Sequence, residues 1–300
     1  MTDIRLSSEQ FKVIYFICPP PTVLKFIILL LLTSSTALAF EPLNTDDAGT
    51  VEAGRNQIEQ YFFAINRHGS TNTAPIDIVT PGEEFAGQGG AKAFPFTYTR
   101  GLNESLEASI ATTYYTEPTG SYTRFSNSML GMKWRFFEDK ENQYALAIKP
   151  TLIFPASKLQ QVNGLGLAAF NYGANFIASR YWDQIEVHLN LSYMHSPYNT
   201  NYAVGQSMDL NRTNIFLMSF APVWTLMPGI KVALDIGATT NPPIPEQYLS
   251  TYGLMALIIS PANDIDIGLS AMRSASNFGT VVSASGPNAT RSEIGVTWRF

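Results

Sequence analysis

The sequence predicts an all-β protein: a transmembrane antiparallel β-barrel of about twelve strands, preceded by a cleaved signal peptide. Three observations predict this fold. The chain ends in a segment that alternates apolar and polar residues up to Phe300, similar segments recur along the chain, and the connections between them alternate between tight turns and longer loops. Bacterial outer-membrane barrels have an even number of strands, short periplasmic turns and longer external loops.

The closing segment would present two different faces as a strand, because successive side chains point to opposite sides. One face carries large apolar residues: Ile294, Val296, Trp298 and Phe300. The other carries polar or small residues: Glu293, Gly295, Thr297 and Arg299. A soluble sandwich would bury the apolar face in a core, whereas an outer-membrane barrel would place it against lipid. The ending resembles the C-terminal signal of bacterial outer-membrane proteins, so we expect Phe300 and Trp298 to be the signal for the barrel-assembly machinery.

The other end of the chain favours the membrane alternative. Lys25 precedes a short apolar run at 26–32, and an Ala-x-Ala site ends at Ala39. These are the parts of a secretory signal peptide, and the apolar run is too short to span a bilayer as a helix. We predict a signal peptide at 1–39 with cleavage after Ala39, and an over-long start would explain its length. Cys18, the single cysteine, lies in this leader, so the mature chain would have no thiol-based site.

The composition agrees with an exported barrel. Charged residues make up 14% of the chain and aromatic residues 12%, and soluble domains usually carry ~25% charged residues. After the leader no run of 18 apolar residues predicts a helical span. No basic block predicts nucleic-acid binding, and no motif predicts a cofactor or a metal. We therefore expect one domain, a barrel at 57–300, after a periplasmic or luminal segment at 40–56.

The first three strands are predicted at 57–66, 92–100 and 105–115. The first has apolar residues of both parities, so its register is not fixed. If Glu59 faces the lumen, Tyr61, Phe63 and Ile65 do too. The second carries Phe94, Phe96 and Tyr98 on one face, and the tight connection 101–104 joins it to the third.

The fourth and fifth strands, at 125–137 and 143–154, alternate most clearly. Four large apolar residues of the fourth strand share one face: Leu130, Met132, Trp134 and Phe136. Its opposite face carries Lys133 and Arg135, and the fifth strand carries Lys149 on its polar face. Pairing Phe137 with Gln143 across the turn would place Lys133 opposite Ala147 and diagonal to Lys149.

The remaining strands follow the same alternation. They are predicted at 166–181, 185–195, 213–226, 230–239, 248–260 and 264–273, followed by the closing strand. The sixth and tenth have no clear register. The segment 241–245 contains three prolines and must be a loop, because proline cannot donate to a ladder. Aromatic residues gather near the tight turns, where an interfacial girdle would lie: Tyr98, Phe137, Tyr144, Tyr181, Trp182, Trp224 and Trp298.

Alternation also identifies candidate lumen-lining residues. These are Lys133, Arg135, Lys149, Glu186, His188, Asp235, Asp266 and Glu293. One hypothesis is a transverse field, with a basic wall on strands four and five and an acidic wall elsewhere. The alternative is that the charges pair locally and only keep the lumen wet. Twelve strands lie between filled and water-filled barrels, so we expect a narrow lumen occluded by 67–91 or by 40–56. The alternative is that the long segment is a mobile surface loop.

Four short motifs in the sequence resemble those of a known family. Thr-Asp-Asp-Ala-Gly-Thr at 45–50, Gly-Arg-Asn-Gln-Ile-Glu at 54–59, Gly-Met-Lys-Trp-Arg-Phe at 131–136 and Leu-Ile-Phe-Pro at 152–155 are similar to motifs of the MetA-pathway phenol-degradation family. The resemblance implies an outer-membrane transporter barrel tied to uptake of aromatic or other hydrophobic compounds. It carries no catalytic residues to transfer.

The function predicted from these observations is passive passage of small solutes through an outer-membrane barrel, with outer-membrane lipid and the solute as partners. An adhesive or structural barrel acting through its external loops is the alternative. A barrel lipase would need Ser, His and Asn together at the lipid-facing surface. His188 shares its parity with Glu186 and so faces the lumen, which argues against an enzyme.

Overall fold

The computed structural model describes residues 42–68, 89–196, 214–240, 248–278 and 285–300. Within them, twelve antiparallel strands close into one barrel in which each strand pairs with its neighbours in sequence and β1 pairs with β12. The strands are β1 (Asn56–His68), β2 (Gly90–Asn103), β3 (Leu106–Glu117), β4 (Met129–Asp139), β5 (Tyr144–Ile153), β6 (Asn171–Tyr181), β7 (Ile185–His195), β8 (Asn214–Met227), β9 (Ile230–Thr240), β10 (Tyr248–Ala262), β11 (Ile265–Phe278) and β12 (Ser285–Arg299). The predicted antiparallel barrel of twelve strands is confirmed.

The predicted starts of the fourth and sixth strands are wrong. β4 begins at Met129 rather than at 125, because the Asn127 side chain bonds the carbonyls of Phe154 and Leu167 and turns the chain away from the sheet. β6 begins at Asn171 rather than at 166. The residues before it follow a short helix, α1 (Lys158–Val162), which starts with a capping box between Ser157 and Gln160. No helix within the described residues is long and apolar enough to cross a membrane.

The two faces of the strands differ in chemistry, as the alternation predicts. Outward-facing side chains are large and apolar, with Trp134 and Phe136 of β4 half exposed and in ring contact. At the tight-turn end, Phe137 stacks on Tyr144 and Trp298 on Phe300. This position suits aromatic residues at a membrane interface. Tyr181 was predicted in this girdle and instead faces inward, against His188.

Closure of the barrel depends on the seam between β1 and β12. It runs from Gln57↔Arg299 to His68↔Asn288 without a register shift. Beyond the strand ends, Asn56 N–H donates to the carbonyl of Phe300 at 2.8 Å, and Phe300 N–H donates back to Asn56 at 2.9 Å. A closed barrel has no unpaired edge, which a membrane requires because lipid offers the backbone no hydrogen bonds.

Proline interrupts the wall at one point of β2. Pro95 has no N–H, and the β1–β2 pairs stop at Gln60↔Phe96 and resume at Phe63↔Ala93. The Gln60 side chain faces outward and donates to the carbonyl of Pro95 at 2.9 Å. A side-chain hydrogen bond therefore takes the place of a missing ladder bond.

Candidate functional site in the barrel lumen

The inward faces of the strands carry the polar and charged side chains, and a segment of the chain itself lies against them. Residues 42–55 precede β1 and contact inward-facing side chains of successive strands from β9 round to β3. Thr45, Asp47 and Ala48 of this segment are almost fully buried. The candidate site is therefore the luminal wall together with this segment, which we call the N-terminal segment.

Asp235 of β9 anchors the start of the N-terminal segment. One of its carboxylate oxygens accepts the N–H groups of Asn44 at 2.7 Å and Thr45 at 2.9 Å. The other accepts the Thr45 hydroxyl at 2.7 Å and the Tyr252 hydroxyl at 2.9 Å. Thr45 Oγ1 also lies 2.8 Å from Ser219 Oγ of β8. Four donors, none of them charged, thus solvate a carboxylate that is fully buried.

The middle of the segment is held by β7 and β6. Asn190 accepts the N–H of Asp46 at 2.9 Å and donates its amide N–H to the carbonyl of the same residue at 2.8 Å. Ser179 Oγ accepts the N–H of Ala48 at 2.8 Å and lies 2.8 Å from His188 Nδ1. Asn190 therefore binds both main-chain groups of one residue, and Ser179 connects the segment to the imidazole.

Two lysines and one glutamate hold the rest of the segment. Lys149 of β5 pairs with Asp46 at 2.9 Å. Lys133 of β4 pairs with Glu107 of β3 at 3.2 Å and donates to the carbonyl of Asp47 at 3.4 Å. The second carboxylate oxygen of Glu107 accepts the N–H of Val51 at 2.7 Å. The segment thus completes the charge balance of this wall.

Burial opposes ionisation of both neighbouring aspartates, but their net pKa shifts have opposite directions. Burial opposes ionisation of Asp46, but the charge and hydrogen bond of Lys149 hold the pKa of that carboxyl below its usual value. Burial raises the pKa of Asp47 above its usual value, although Lys133 opposes the shift. The surroundings therefore favour the charged form of Asp46 and disfavour the charged form of Asp47.

The predicted luminal residues lie on the inward face and form local pairs. Lys231 pairs with Glu186 at 2.5 Å, Arg299 with Asp266 at 2.7 Å, and Arg291 with Glu293 at 2.6 Å. Arg135 lies at the tight-turn end and donates to the carbonyl of Glu104 at 2.6 Å. His188 Nε2 lies 3.7 Å from Glu186. The charges therefore pair locally, as the alternative to a transverse field supposes. Such pairing leaves little net field between the basic and acidic walls.

The register predicted across the turn between β4 and β5 is wrong. Pairs Gly131↔Thr151 and Trp134↔Ile148 place Lys133 directly opposite Lys149, and Ala147 pairs with Arg135 instead. The shift arises from an irregularity between Arg135 and Phe137 and from a turn in which Gln143 has a positive φ of 55°. The two cations are thus nearer than predicted, and carboxylates of β3 and the N-terminal segment separate their charges.

Inward-facing tyrosines fill the lumen beside the segment. A Cβ added to Gly295 would lie 2.2 Å from the Tyr61 ring, and one added to Gly237 would lie 2.4 Å from the Tyr252 ring. Tyr61 of β1 and Tyr252 of β10 therefore each lie against a glycine of a neighbouring strand. Glycine at these two positions leaves room for a ring between the wall and the N-terminal segment.

At the long-loop end, an apolar cluster lies above the polar region. Leu165, which follows α1, is fully buried against Phe63, Ile65, Tyr115 and small residues of β2 and β12. Gln160 of α1 donates to the carbonyls of Thr123 and Phe125, which ties this loop to the preceding one. The predicted occluding loop 67–91 lies outside the described residues from 69 to 88.

The sequence did not single out several of these contacts. Ser179, Ser219, Glu107 and Tyr252 hold the N-terminal segment, and their only signal is a polar residue on the inward parity of its strand. Asn190 shares the inward parity of His188 on β7, and both lie inside the barrel rather than at the lipid-facing surface that a lipase would need. Within the described residues, no group of three or more His, Cys, Asp or Glu could hold a metal ion.

Comparison with known proteins supports the fold. No protein family and no curated protein matches the sequence. The NanC porin shares 12% identity over 80% of this chain and 98% of that chain, with a TM-score of 0.54. An outer-membrane channel from Pseudomonas putida F1 shares 10% over 85% and 98%, with a TM-score of 0.54. The KdgM porin in complex with disordered oligogalacturonate shares 7% over 82% and 99%, with a TM-score of 0.50. These likenesses show the barrel fold of outer-membrane channels.

Proposed function

We propose that this protein is an outer-membrane channel through which small solutes pass passively, and that residues 42–51 close its lumen until they are displaced. One observation carries the proposal. A segment that leads into β1 at Asn56 crosses a closed barrel and is bound there by polar side chains of the wall. Such contacts can be exchanged for water or for a solute, because a typical protein hydrogen bond contributes only ~0.5–1.5 kcal/mol net.

The barrel exterior supports a place in the outer membrane. Its outward apolar side chains suit contact with lipid, and the aromatic pairs at the tight-turn end suit the periplasmic interface. The paired ends of β1 and β12 suit recognition of the C-terminal strand by the barrel-assembly machinery. We place the tight turns and both ends of the mature chain in the periplasm, so the N-terminal segment would enter the lumen from that side.

The class of solute follows from the sequence resemblance and from the lumen. The resemblance to the MetA-pathway phenol-degradation family extends the proposal to aromatic or other hydrophobic compounds. The barrel interior is apolar at the long-loop end, where Phe63, Tyr115 and Leu165 pack together. Deeper in the barrel, a solute meets polar side chains once the N-terminal segment has moved. A small molecule with an apolar body and a polar group fits both regions.

A disulfide lock tests the proposal. Thr45 Oγ1 and Ser219 Oγ lie 2.8 Å apart, so T45C with S219C places two thiols within reach of a disulfide. In planar bilayers the oxidised double variant should stay closed, and reduction should raise its conductance to that of either single variant. Equal conductance before and after reduction would reject the N-terminal segment as the gate. Absence of conductance in every variant would reject the channel and favour an adhesive or structural barrel.

A further inference from the structure

The luminal wall binds the N-terminal segment largely through its main chain. Asp235 accepts two consecutive N–H groups, those of Asn44 and Thr45. Asn190 binds the N–H and the carbonyl of Asp46 with one side-chain amide. These groups are present in every peptide, whatever its side chains. The wall therefore carries donors and acceptors that are spaced for the main chain of a polypeptide that crosses the lumen.

The same pattern continues along the wall. Ser179 accepts the N–H of Ala48 at 2.8 Å, and Glu107 accepts the N–H of Val51 at 2.7 Å. Lys133 donates to the carbonyl of Asp47 at 3.4 Å. Main-chain groups are thus recognised from residue 44 to residue 51. A solute without this pattern would leave some of these wall groups without the partners they have now, which is unfavourable for buried polar groups.

Side-chain contacts add a preference to this main-chain recognition. Lys149 pairs with the Asp46 carboxylate at 2.9 Å, and Lys133 lies near Asp47 through its carbonyl. Ala48 is fully buried against Ala145, Ala147 and Ile177. The wall therefore suits a peptide with acidic residues followed by a small one.

We propose that the lumen binds and passes short acidic peptides, which take the place of its own N-terminal segment. The proposal rests on the channel function proposed above and adds a second class of solute to the aromatic or hydrophobic compounds named there. A peptide of this kind replaces each hydrogen bond that the segment leaves. The buried wall groups then keep their partners throughout the exchange, so the barrier to displacing the segment is lower for such a peptide than for a solute without main-chain amides.

The test uses proteoliposomes that contain the full-length protein and three synthetic octapeptides. The first has the sequence of residues 44–51, Asn-Thr-Asp-Asp-Ala-Gly-Thr-Val. The second carries a methyl group on the nitrogen of its first aspartate, and the third has asparagine in place of that aspartate. Uptake is measured by mass spectrometry of the washed vesicles. The methyl group removes the hydrogen bond from this nitrogen to Asn190 Oδ1, which should lower uptake of the methylated peptide about tenfold.

A wall variant identifies the side chain that selects acidic peptides. Uptake of the first peptide should exceed that of the asparagine peptide about fivefold in the wild type, and the two should be equal in Lys149→Gln. Because the two uptakes are compared within one protein, any change in binding of the N-terminal segment cancels from the ratio. Lys92→Gln, which removes a cation from the exposed end of β2, should keep the wild-type ratio.

The outcomes separate this proposal from the channel function. Release of chloride from the same vesicles reports the open lumen without any peptide. If chloride passes and peptides do not, or if all three peptides pass equally, the peptide proposal is wrong and the channel function stands. If neither chloride nor peptide passes, even after Asp46→Asn weakens the N-terminal segment, both proposals fail.

Discussion

Asp46 and Asp47 are adjacent acids with opposite surroundings. The Asp46 carboxylate pairs with Lys149, whereas the Asp47 carboxylate accepts the N–H of Gly49 at 2.5 Å within its own segment. Lys133, the cation nearest to Asp47, already pairs with Glu107. Removing charge from the first aspartate should therefore weaken the binding of the N-terminal segment, and removing it from the second should not.

We expect Asp46→Asn to increase the open fraction of the channel about fivefold. The change removes a partly buried ion pair that contributes on the order of 1 kcal/mol. Asp47→Asn is the matched control, because its amide oxygen can still accept from Gly49 and burial no longer acts on a charge. Single-channel recording of the open fraction compares the two. A larger increase in the control than in Asp46→Asn would show that the pair with Lys149 does not hold the segment.

The opposite pKa shifts of Asp46 and Asp47 also predict opposite effects of pH on closure of the lumen. The lowered pKa of Asp46 means that its contribution to closure is present above its ordinary pKa and is lost as pH falls through the lowered value. The raised pKa of Asp47 favours closure at low pH, and that contribution is lost as pH rises through the raised value. In Asp47→Asn only the first effect remains. The open fraction of this variant should therefore increase on acidification below the usual range of an aspartate, and a decrease would contradict the assignment.

Glycine at position 295 is required by a neighbouring ring. A Cβ there would lie 2.2 Å from Tyr61, while a Cβ at Gly253 would have no atom within 4 Å. We expect Gly295→Ala to lower the free energy of unfolding by ~1–3 kcal/mol through overpacking, and Gly253→Ala to change it little or to raise it. Urea unfolding in detergent measures both variants. Equal stability of the two variants would mean that Tyr61 moves away without cost.

At the scale of elements, the sequence predicted the strands because lipid and lumen impose a period of two. β7 (Ile185–His195) matches its predicted range, since apolar Val187 and Leu189 alternate with polar Glu186 and His188. β10 gave no register because both of its faces are apolar. Leu254 and Ile258 are buried inside, while Met255 and Leu257 are exposed on the outside. An apolar patch inside the lumen, against which Leu43 packs, removes the contrast on which the prediction depends.

The start of β4 could not be predicted because a distant residue decides it. Phe125 pairs with Tyr114 as an isolated bridge and has the parity of a strand residue. Asn127 ends the strand by bonding the loop between β5 and β6, some 40 positions later in the sequence. The alternation therefore extends back to Phe125, although the strand itself begins only at Met129.

The closing strand supports a prediction about assembly. Phe300 extends the β1–β12 seam by two backbone hydrogen bonds with Asn56 and stacks on Trp298 with ring centroids 4.5 Å apart. Deleting Phe300 should reduce the amount of protein in the outer membrane, because closure then lacks its last pair and the terminal ring. Phe300→Tyr keeps the backbone pair and the ring and should assemble normally. Both are measured by membrane fractionation and heat-modifiable gel migration, and a normal level of the deletion variant would contradict this role.

For the whole molecule, parity predicted which charges face inward but not how they pair. Glu186, Asp235 and Asp266 are buried on the inward face, and their partners come from other strands or from the N-terminal segment. A partner across the lumen depends on strand register and on the path of 42–55, and neither follows from local alternation. The charges of Lys133 and Lys149 illustrate this point. They lie opposite each other, yet one is balanced by β3 and the other by the N-terminal segment.

Because the N-terminal segment balances the charge of only one of these two lysines, its departure should change the ion selectivity of the lumen. When the N-terminal segment leaves, Lys149 loses Asp46, whereas Lys133 keeps Glu107. A cation in a narrow, low-dielectric lumen attracts anions to the conducting path, so the open channel should favour anions. In the background of Asp46→Asn, Lys149→Gln should shift the reversal potential in a salt gradient toward cation selectivity. Lys92→Gln removes the same charge from a residue with a half-exposed side chain, where salt screens it, and should leave the potential unchanged. Equal shifts in both variants would show that Lys149 does not line the open path.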